Sequence, residues 1–183
     1  EYMFWRGRVY MMYTDYKRAL YDFSGAIRQA LRQEKEQTRT SQPFTSHQYS
    51  EAYMFSGQCN HFLGQYEEAL QNYDLAVKRN TKDPQNFYNR GLTYVALQRF
   101  EEAISDYRDA IDRYVESGSS EKEKVFKYRF NLGISLRRIG DLEFSIIELT
   151  RATEELPSKA ICWNNLGLSF FQNDEWEHAI AAY

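Results

Sequence analysis

Residues 84–117 read PQNFYNRGLTYVALQRFEEAISDYRDAIDRYVES. In the first part Phe87, Tyr88, Gly91, Leu92, Tyr94 and Val95 return every three or four residues, the period of one helix face. Gln98 and Arg99 make a short turn. From Phe100 onward Ala103, Ile104, Tyr107, Ala110 and Ile111 mark the apolar side of a second helix. Asp83 supplies a capping acceptor ahead of Pro84, a proline suited to a first helical position. Gly91 stands inside the first helix, where glycine costs roughly 1 kcal/mol relative to alanine, so a packing reason is required. The expectation is that the first helix closes on the second there, opposite the small Ala103, with Phe87, Tyr94, Phe100 and Tyr107 filling the space on either side.

Outward from this stretch the pattern repeats. Gly57 precedes Gly91 by 34 residues, and Gly133 precedes Gly167 by 34. Tyr53/Phe87, Tyr66/Phe100, Ala69/Ala103, Tyr73/Tyr107 and Ala76/Ala110 keep the same step. A fixed period of this size signals stacked helix pairs, none of which can bury its apolar face alone. With each glycine as the eighth place, repeats fall at 50–83, 84–117, 126–159 and 160–183, the last incomplete. A more worn copy at 1–33 carries Gly7, Tyr16, Ala19, Phe23 and Ala26 in the same places. Two joints are longer. Residues 34–49 are rich in Thr, Ser and Gln, and residues 118–125 read as a Gly/Ser turn plus an extra helical turn. Ser120 and Glu123 have the spacing of a capping box there. The chain is expected to be one repeat domain, and both ends fall inside helical patterns, as in a piece of a longer protein.

Composition narrows the function classes. The chain has 183 residues, 43% of them apolar, with 15 Tyr and 12 Phe. Only 3 Pro and 9 Gly argue against a loop-rich β fold or disorder. A net charge of −3 gives nucleic acid or an anionic membrane no general attraction. Cys59 and Cys162 form no Cys-x-x-Cys pair, which fits a reduced intracellular, cytoplasmic setting. No apolar run approaches the ~18–20 residues of a membrane span. His47, His61 and His178 lack ligand partners at metal spacing, although Cys59 lies near His61. There is no phosphate-binding glycine loop. Glu67-Glu68 and Glu101-Glu102 each open a second helix, where carboxylates favour the helix dipole. No catalytic residue, metal or cofactor is therefore expected, and the aromatics, without interleaved Lys and Arg, do not read as a base-stacking platform.

The repeat resembles the tetratricopeptide repeat, which has a large residue at place four, Leu-Gly at seven and eight, an aromatic at eleven, Ala at twenty, an aromatic at twenty-four and Ala at twenty-seven. Trp163, Leu166-Gly167, Phe170, Trp176, Ala179 and Tyr183 match it, as do Leu132-Gly133, Gly140, Leu149, Ala152 and Pro157. Ser145, Ser56, Arg90 and Asn60 depart from it. The resemblance implies an all-α, right-handed superhelical solenoid of antiparallel helix pairs, with about five repeats. It also implies that places two, five, six, nine and twelve of the first helices line a concave groove.

Those places hold Gln58; Tyr88, Asn89 and Leu92; Lys127, Phe130, Asn131, Ile134 and Arg137; and Asn164, Asn165 and Leu168. Phe4, Trp5, Arg8, Met54 and Phe55 belong to the same set. Asn89, Asn131 and Asn165 share place six. Their amides either pair with the backbone of an extended peptide or bond to neighbouring helices. Met54, Tyr88, Leu92, Phe130, Ile134 and Leu168 form an apolar strip if exposed. The carboxylate clamp that grips heat-shock chaperone tails in this family needs five residues, and Met54, Gln58, Asn89, Lys127 and Asn131 supply two, so such tails are not expected. Arg28, Arg32, Lys35 and Arg39 step along one basic face, either a solvated helix end or a surface for an acidic partner. The expected function is a non-enzymatic scaffold holding an extended or helical segment of a partner protein. The alternatives are the recruiting arm of a larger enzyme, or an architectural subunit of a ciliary or transport assembly.

Overall fold

The computed structural model describes residues 2–37 and 47–183. Among them ten helices follow one another: α1 Tyr2–Met12, α2 Tyr16–Gln37, α3 His47–Phe62, α4 Tyr66–Arg79, α5 Pro84–Ala96, α6 Phe100–Glu116, α7 Lys122–Arg138, α8 Leu142–Glu155, α9 Ala160–Gln172 and α10 Trp176–Ala182. The chain forms two compact units, Glu1–Thr93 and Tyr94–Tyr183. In the first, α1 packs on α2, α2 on α3 and α3 on α4; in the second, α6 packs on α7, α7 on α8, α8 on α9 and α9 on α10. First helices also meet one another, α1 with α3 and α7 with α9.

The recurring glycine has a different partner from the one its sequence suggests. A Cβ on Gly57 would lie 2.7–2.9 Å from the Tyr73 ring, and one on Gly7 2.9–3.2 Å from the Phe23 ring. On Gly133 it would meet Leu149 Cγ at 2.6 Å, and on Gly167 the Tyr183 ring at 3.1–3.2 Å. In all four the nearest partner is the large residue at place twenty-four, 16 positions on, and not the residue at place twenty, although at Gly133 the Ser145 carbonyl also comes within 3.3 Å. The glycine is a seat for that side chain. Tyr73 is 1% exposed and Phe23 and Leu149 are fully buried, so those three seats are closed, whereas Tyr183 is 66% exposed. Burying a side chain of this size stabilises by about 1.5–3 kcal/mol.

At two of the buried tyrosines the polar tip finds a partner. The Tyr73 phenol bonds Thr93, and Tyr49 donates to the carbonyl of Ala30. Ser145, where the family prefers Ala, donates from Oγ to the Gly133 carbonyl at 2.8 Å and meets Ser169 Oγ at 2.9 Å. Asp22, 1% exposed, takes both oxygens to Arg6 at 2.7 Å.

A second regularity lies in the turn inside each helix pair. Place fifteen has positive φ every time: Thr14 58°, Gly64 76°, Gln98 59°, Gly140 85° and Asp174 60°. The next N–H reaches back five residues, as Gln65 to Asn60 O and Arg99 to Tyr94 O, both at 2.9 Å. This is the six-to-one bond of a Schellman turn, which satisfies carbonyls left open at a helix end. Three turns tolerate the left-handed conformation without glycine.

Helix starts agree with expectation in two places. Asp83 Oδ1 accepts from Gln85 N at 2.9 Å, and Asp141 Oδ1 from Phe144 N at 3.5 Å. The Ser120–Glu123 capping box does not form: α7 starts at Lys122 with Glu121 as its cap residue and no side-chain cap bond. Glu123 instead meets Lys159 Nζ at 3.3 Å. At the first joint α2 extends to Gln37 and α3 begins at His47; residues 38–46, with Arg39 among them, lie outside the described residues.

Candidate functional site

In the second unit, α7 and α9 lie side by side and present the places expected to bind. The spacing of Lys127, Phe130/Asn131, Ile134 and Arg137 puts them in one stripe along α7. Ile161, Asn164, Asn165, Leu168 and Phe171 form the corresponding stripe along α9. Lys127 and Asn164 are exposed, Ile161 is 59% and Phe171 50% exposed, and Asn131, Ile134, Arg137, Asn165 and Leu168 are intermediate. Phe130 stacks on Phe126 with ring centroids 5.6 Å apart, which fixes its orientation. The place-six amides brace their own helices. Asn131 Nδ2 donates to the Lys127 carbonyl and Asn165 Nδ2 to the Ile161 carbonyl, each at 2.8 Å. Asn165 Oδ1 accepts from an Arg137 terminal nitrogen at 3.2 Å, which links α9 to α7.

The first unit is more closed. Asn89 is 5% exposed; its Oδ1 accepts from Gln85 Nε2 at 2.9 Å and its Nδ2 is buried without a partner. It therefore cannot offer its amide to a peptide as the row of three asparagines assumed, because α5 carries it inward. Met54, expected on the apolar strip, is 8% exposed and packs with Tyr53, Ala69 and Tyr73. Phe55 stacks on Phe23 at 5.4 Å and meets Phe4 edge-on at 5.8 Å, while Arg8 covers the Trp5 and Phe55 rings at 5.0 and 5.5 Å. Gln58, Tyr88 and Leu92 remain half-exposed. Beyond them His61 Nδ1 meets Thr93 Oγ1 at 2.9 Å, and desolvation holds the His61 pKa below its usual value. Arg28, Arg32 and Lys35 are exposed along α2.

A surface that the sequence reading missed lies between second helices. A cleft of about 590 Å³ is lined by Ile111, Asp112 and Val115 of α6, Leu132 and Leu136 of α7, and Phe144 and Ile147 of α8. Val115 is 64%, Phe144 52% and Ile147 42% exposed. At its edge Glu148 bridges Arg129 and Arg151, each contact 2.7 Å. The available signal was the pair of large apolar residues Phe144 and Ile147, outside the places that the repeat assigns to its core.

Among the described residues no three or more His, Cys, Asp and Glu are grouped to hold a metal ion. No helix among them is long and apolar enough to cross a membrane. Cys59 and Cys162 are buried, and burial pushes their thiols up to about 12 and about 11, away from nucleophilic use at neutral pH.

These features define a helix-pair repeat protein, the architecture of interaction scaffolds. Models of the tetratricopeptide repeat match residues 50–83 and 83–154, and the chain belongs to that family. Two curated relatives, the tetratricopeptide repeat protein 16 of Macaca fascicularis and of Homo sapiens, are 26% identical over 125 residues. That match covers 66% of this chain and 14% of each relative's length. Among solved structures, BtubC from P. vanneervenii superimposes with a TM-score of 0.79 at 15% identity, covering 96% of this chain and 73% of its own. MamA gives 0.75 at 14% identity, covering 96% and 89%. YrrB, described as a TPR protein with an unusual peptide-binding site, gives 0.72 at 19% identity, covering 98% and 80%. At these identities the likeness is one of fold. The family and its structural neighbours are typically non-enzymatic scaffolds that bind protein partners.

Proposed function

We propose that the chain is a non-enzymatic scaffold that holds an extended segment of a partner protein against the α7–α9 face. The observation carrying this reading is the composition of that face. Exposed Ile161 and Phe171 and half-exposed Ile134 and Leu168 alternate with the amides of Asn131, Asn164 and Asn165. Apolar side chains of the segment would supply affinity there, and amide bonds to its backbone would supply orientation. The half-exposed Gln58, Tyr88 and Leu92 belong to the same reading for the first unit. YrrB, whose description names a peptide-binding site, supports it by analogy.

The test is selection of 12-residue phage-displayed peptides on this chain, followed by fluorescence anisotropy with synthetic copies. Ile134→Ala and Leu168→Ala are expected to weaken the enriched peptides by about tenfold each, in keeping with loss of a buried aliphatic side chain. Ile147→Ala, on the other side, leaves affinity within twofold. Enriched peptides indifferent to Ile134→Ala, Leu168→Ala and Asn131→Ala would refute the face. Sensitivity to Ile147→Ala alone would favour the second reading, an architectural contact made through the α6–α8 cleft, which its exposed Val115, Phe144 and Ile147 support.

A further inference from the structure

Several arginines in this chain are neutralised by a carboxylate. Arg6 pairs with Asp22, Arg90 with Asp74 and Arg129 with Glu148, each at 2.7 Å. Arg99 pairs with Glu102 and Arg151 with Glu148, also at 2.7 Å. Arg137 is the exception on the proposed binding face. Among the described residues its hydrogen-bond partner is the neutral Asn165 Oδ1, its Nε is buried without a partner, and no carboxylate pairs with it. Burial, and then the like charge of Arg138, lower its pKa, while Tyr183 acts in the opposite direction. A half-buried guanidinium with a buried donor unused is costly, because the cation has lost water without gaining a paired anion. Lys127, ten residues earlier on the same stripe, is exposed, and the α7 and α9 stripes named above contain no acid. The face therefore carries two cations and no anion, with aliphatic Ile134 and Leu168 one helical turn from Arg137 and Asn165.

We propose that Arg137 anchors a side-chain carboxylate of the bound segment, an Asp or Glu lying next to a large apolar residue. The inference rests on the α7–α9 face being the binding surface. The guanidinium would donate to the carboxylate through the terminal N–H groups that Asn165 does not take, while Asn165 holds the group in orientation. The adjacent apolar residue would cover Ile134 and Leu168. Lys127 adds attraction toward an acidic segment, and salt weakens that contribution. Place twelve, where Arg137 stands, is not among the places of the chaperone-tail clamp, so the chemistry here is recognition of an internal acidic residue.

The test uses the same displayed library, whose peptides have no free C-terminus, and amidated synthetic copies. Enriched sequences are expected to carry an Asp or Glu beside Leu, Ile, Phe or Trp. Arg137→Gln should weaken them by about tenfold to hundredfold, the loss of a charge-assisted pair. Exchanging the peptide's acid for its amide should cost wild-type protein the same factor and cost the Arg137→Gln variant nothing further. Arg137→Lys, which keeps charge and loses the fork, should fall between, and the peptide-side exchange on wild-type protein carries the test if Arg137→Gln unfolds. Enriched peptides without an acid, equal losses in both proteins, or binding only by peptides with a free C-terminal carboxylate would overturn the proposal. Peptides that respond to Ile134→Ala and ignore Arg137→Gln would sink this inference alone. Indifference to both would sink the binding face with it.

Discussion

Gly57→Ala sets two effects of known sign against each other. Alanine favours a helix interior by roughly 1 kcal/mol over glycine, so an open site would be stabilised. At Gly57 the new methyl would sit 2.7 Å from Tyr73 Cε1 and 2.9 Å from two further ring atoms. No relaxed carbon pair sits that close, and Tyr73 is 1% exposed with its phenol bonded to Thr93, so the ring cannot swing aside. Overpacking of this kind costs about 1–3 kcal/mol, and the rigid ring puts the cost in the upper half of that range. The net expectation is a loss of about 1–2 kcal/mol, or roughly 2–8 °C in Tm for a chain of this length. Gly167→Ala is the internal control. Its methyl would approach the Tyr183 ring at 3.1 Å, and Tyr183 is 66% exposed, so the ring can give way. There the propensity gain prevails, and stability changes by about 0 to +1 kcal/mol. Thermal and urea unfolding followed by circular dichroism measure both. If Gly57→Ala is as stable as wild type, or Gly167→Ala is the more damaging, the seating of the place-twenty-four ring is not what the glycine is for.

Two further perturbations test other parts of the fold. Gln98 has φ 59° in its turn, so Gln98→Gly should raise stability by about 0.5–1 kcal/mol in urea unfolding, the left-handed strain removed exceeding the backbone entropy added; a loss would show that the Gln98 side chain matters more than its backbone. Burial lowers the His61 pKa below its unfolded value near 6.5, so the unfolded state binds the extra proton. Stability from this site is therefore complete above about pH 6.5 and lost as pH falls through that value toward the folded one. The Tm of wild type should drop between pH 7.5 and 5.5 more than that of His61→Gln, and parallel curves would remove His61 as the cause.

The sequence made the architecture legible because its signal was periodic. Gly57, Gly91, Gly133 and Gly167 set a register from which the helix boundaries near Asp83 and Asp141 followed. The partner of each glycine was not legible. Alanine at place twenty and the ring at place twenty-four both lie on the inner side of the second helix, and only the way the two helices cross decides which one meets the glycine. The candidate face was partly legible. Position along a helix tells which side a residue takes, but exposure depends on what the neighbouring helix puts there. Met54 is buried in a cluster with Tyr53, Ala69, Tyr73 and Ala76, against which Ile27 and Phe55 pack, and Asn89 is turned inward while Asn131 and Asn165, at the same place, stay half-exposed. Thr14, Gln98 and Asp174 at left-handed turn positions gave no warning, since no residue type there announces positive φ.

Gly7, Gly57, Gly133 and Gly167 each lie 16 residues before the side chain seated on them, and the packed helix pairs within each unit are near neighbours in sequence. Contacts this local close small loops, which places the chain among topologies that fold quickly and can nucleate at any helix pair. The same locality makes the joints elastic in evolutionary terms. Lengthening a connection between two repeats pulls no seated ring from its glycine, and each doubling of a loop costs only about 0.6 kcal/mol of closure entropy. The 16 additional residues between Gly7 and Gly57 and the eight between Gly91 and Gly133 are insertions of this tolerated kind, sites where the protein can gain length or new recognition elements without renegotiating its core.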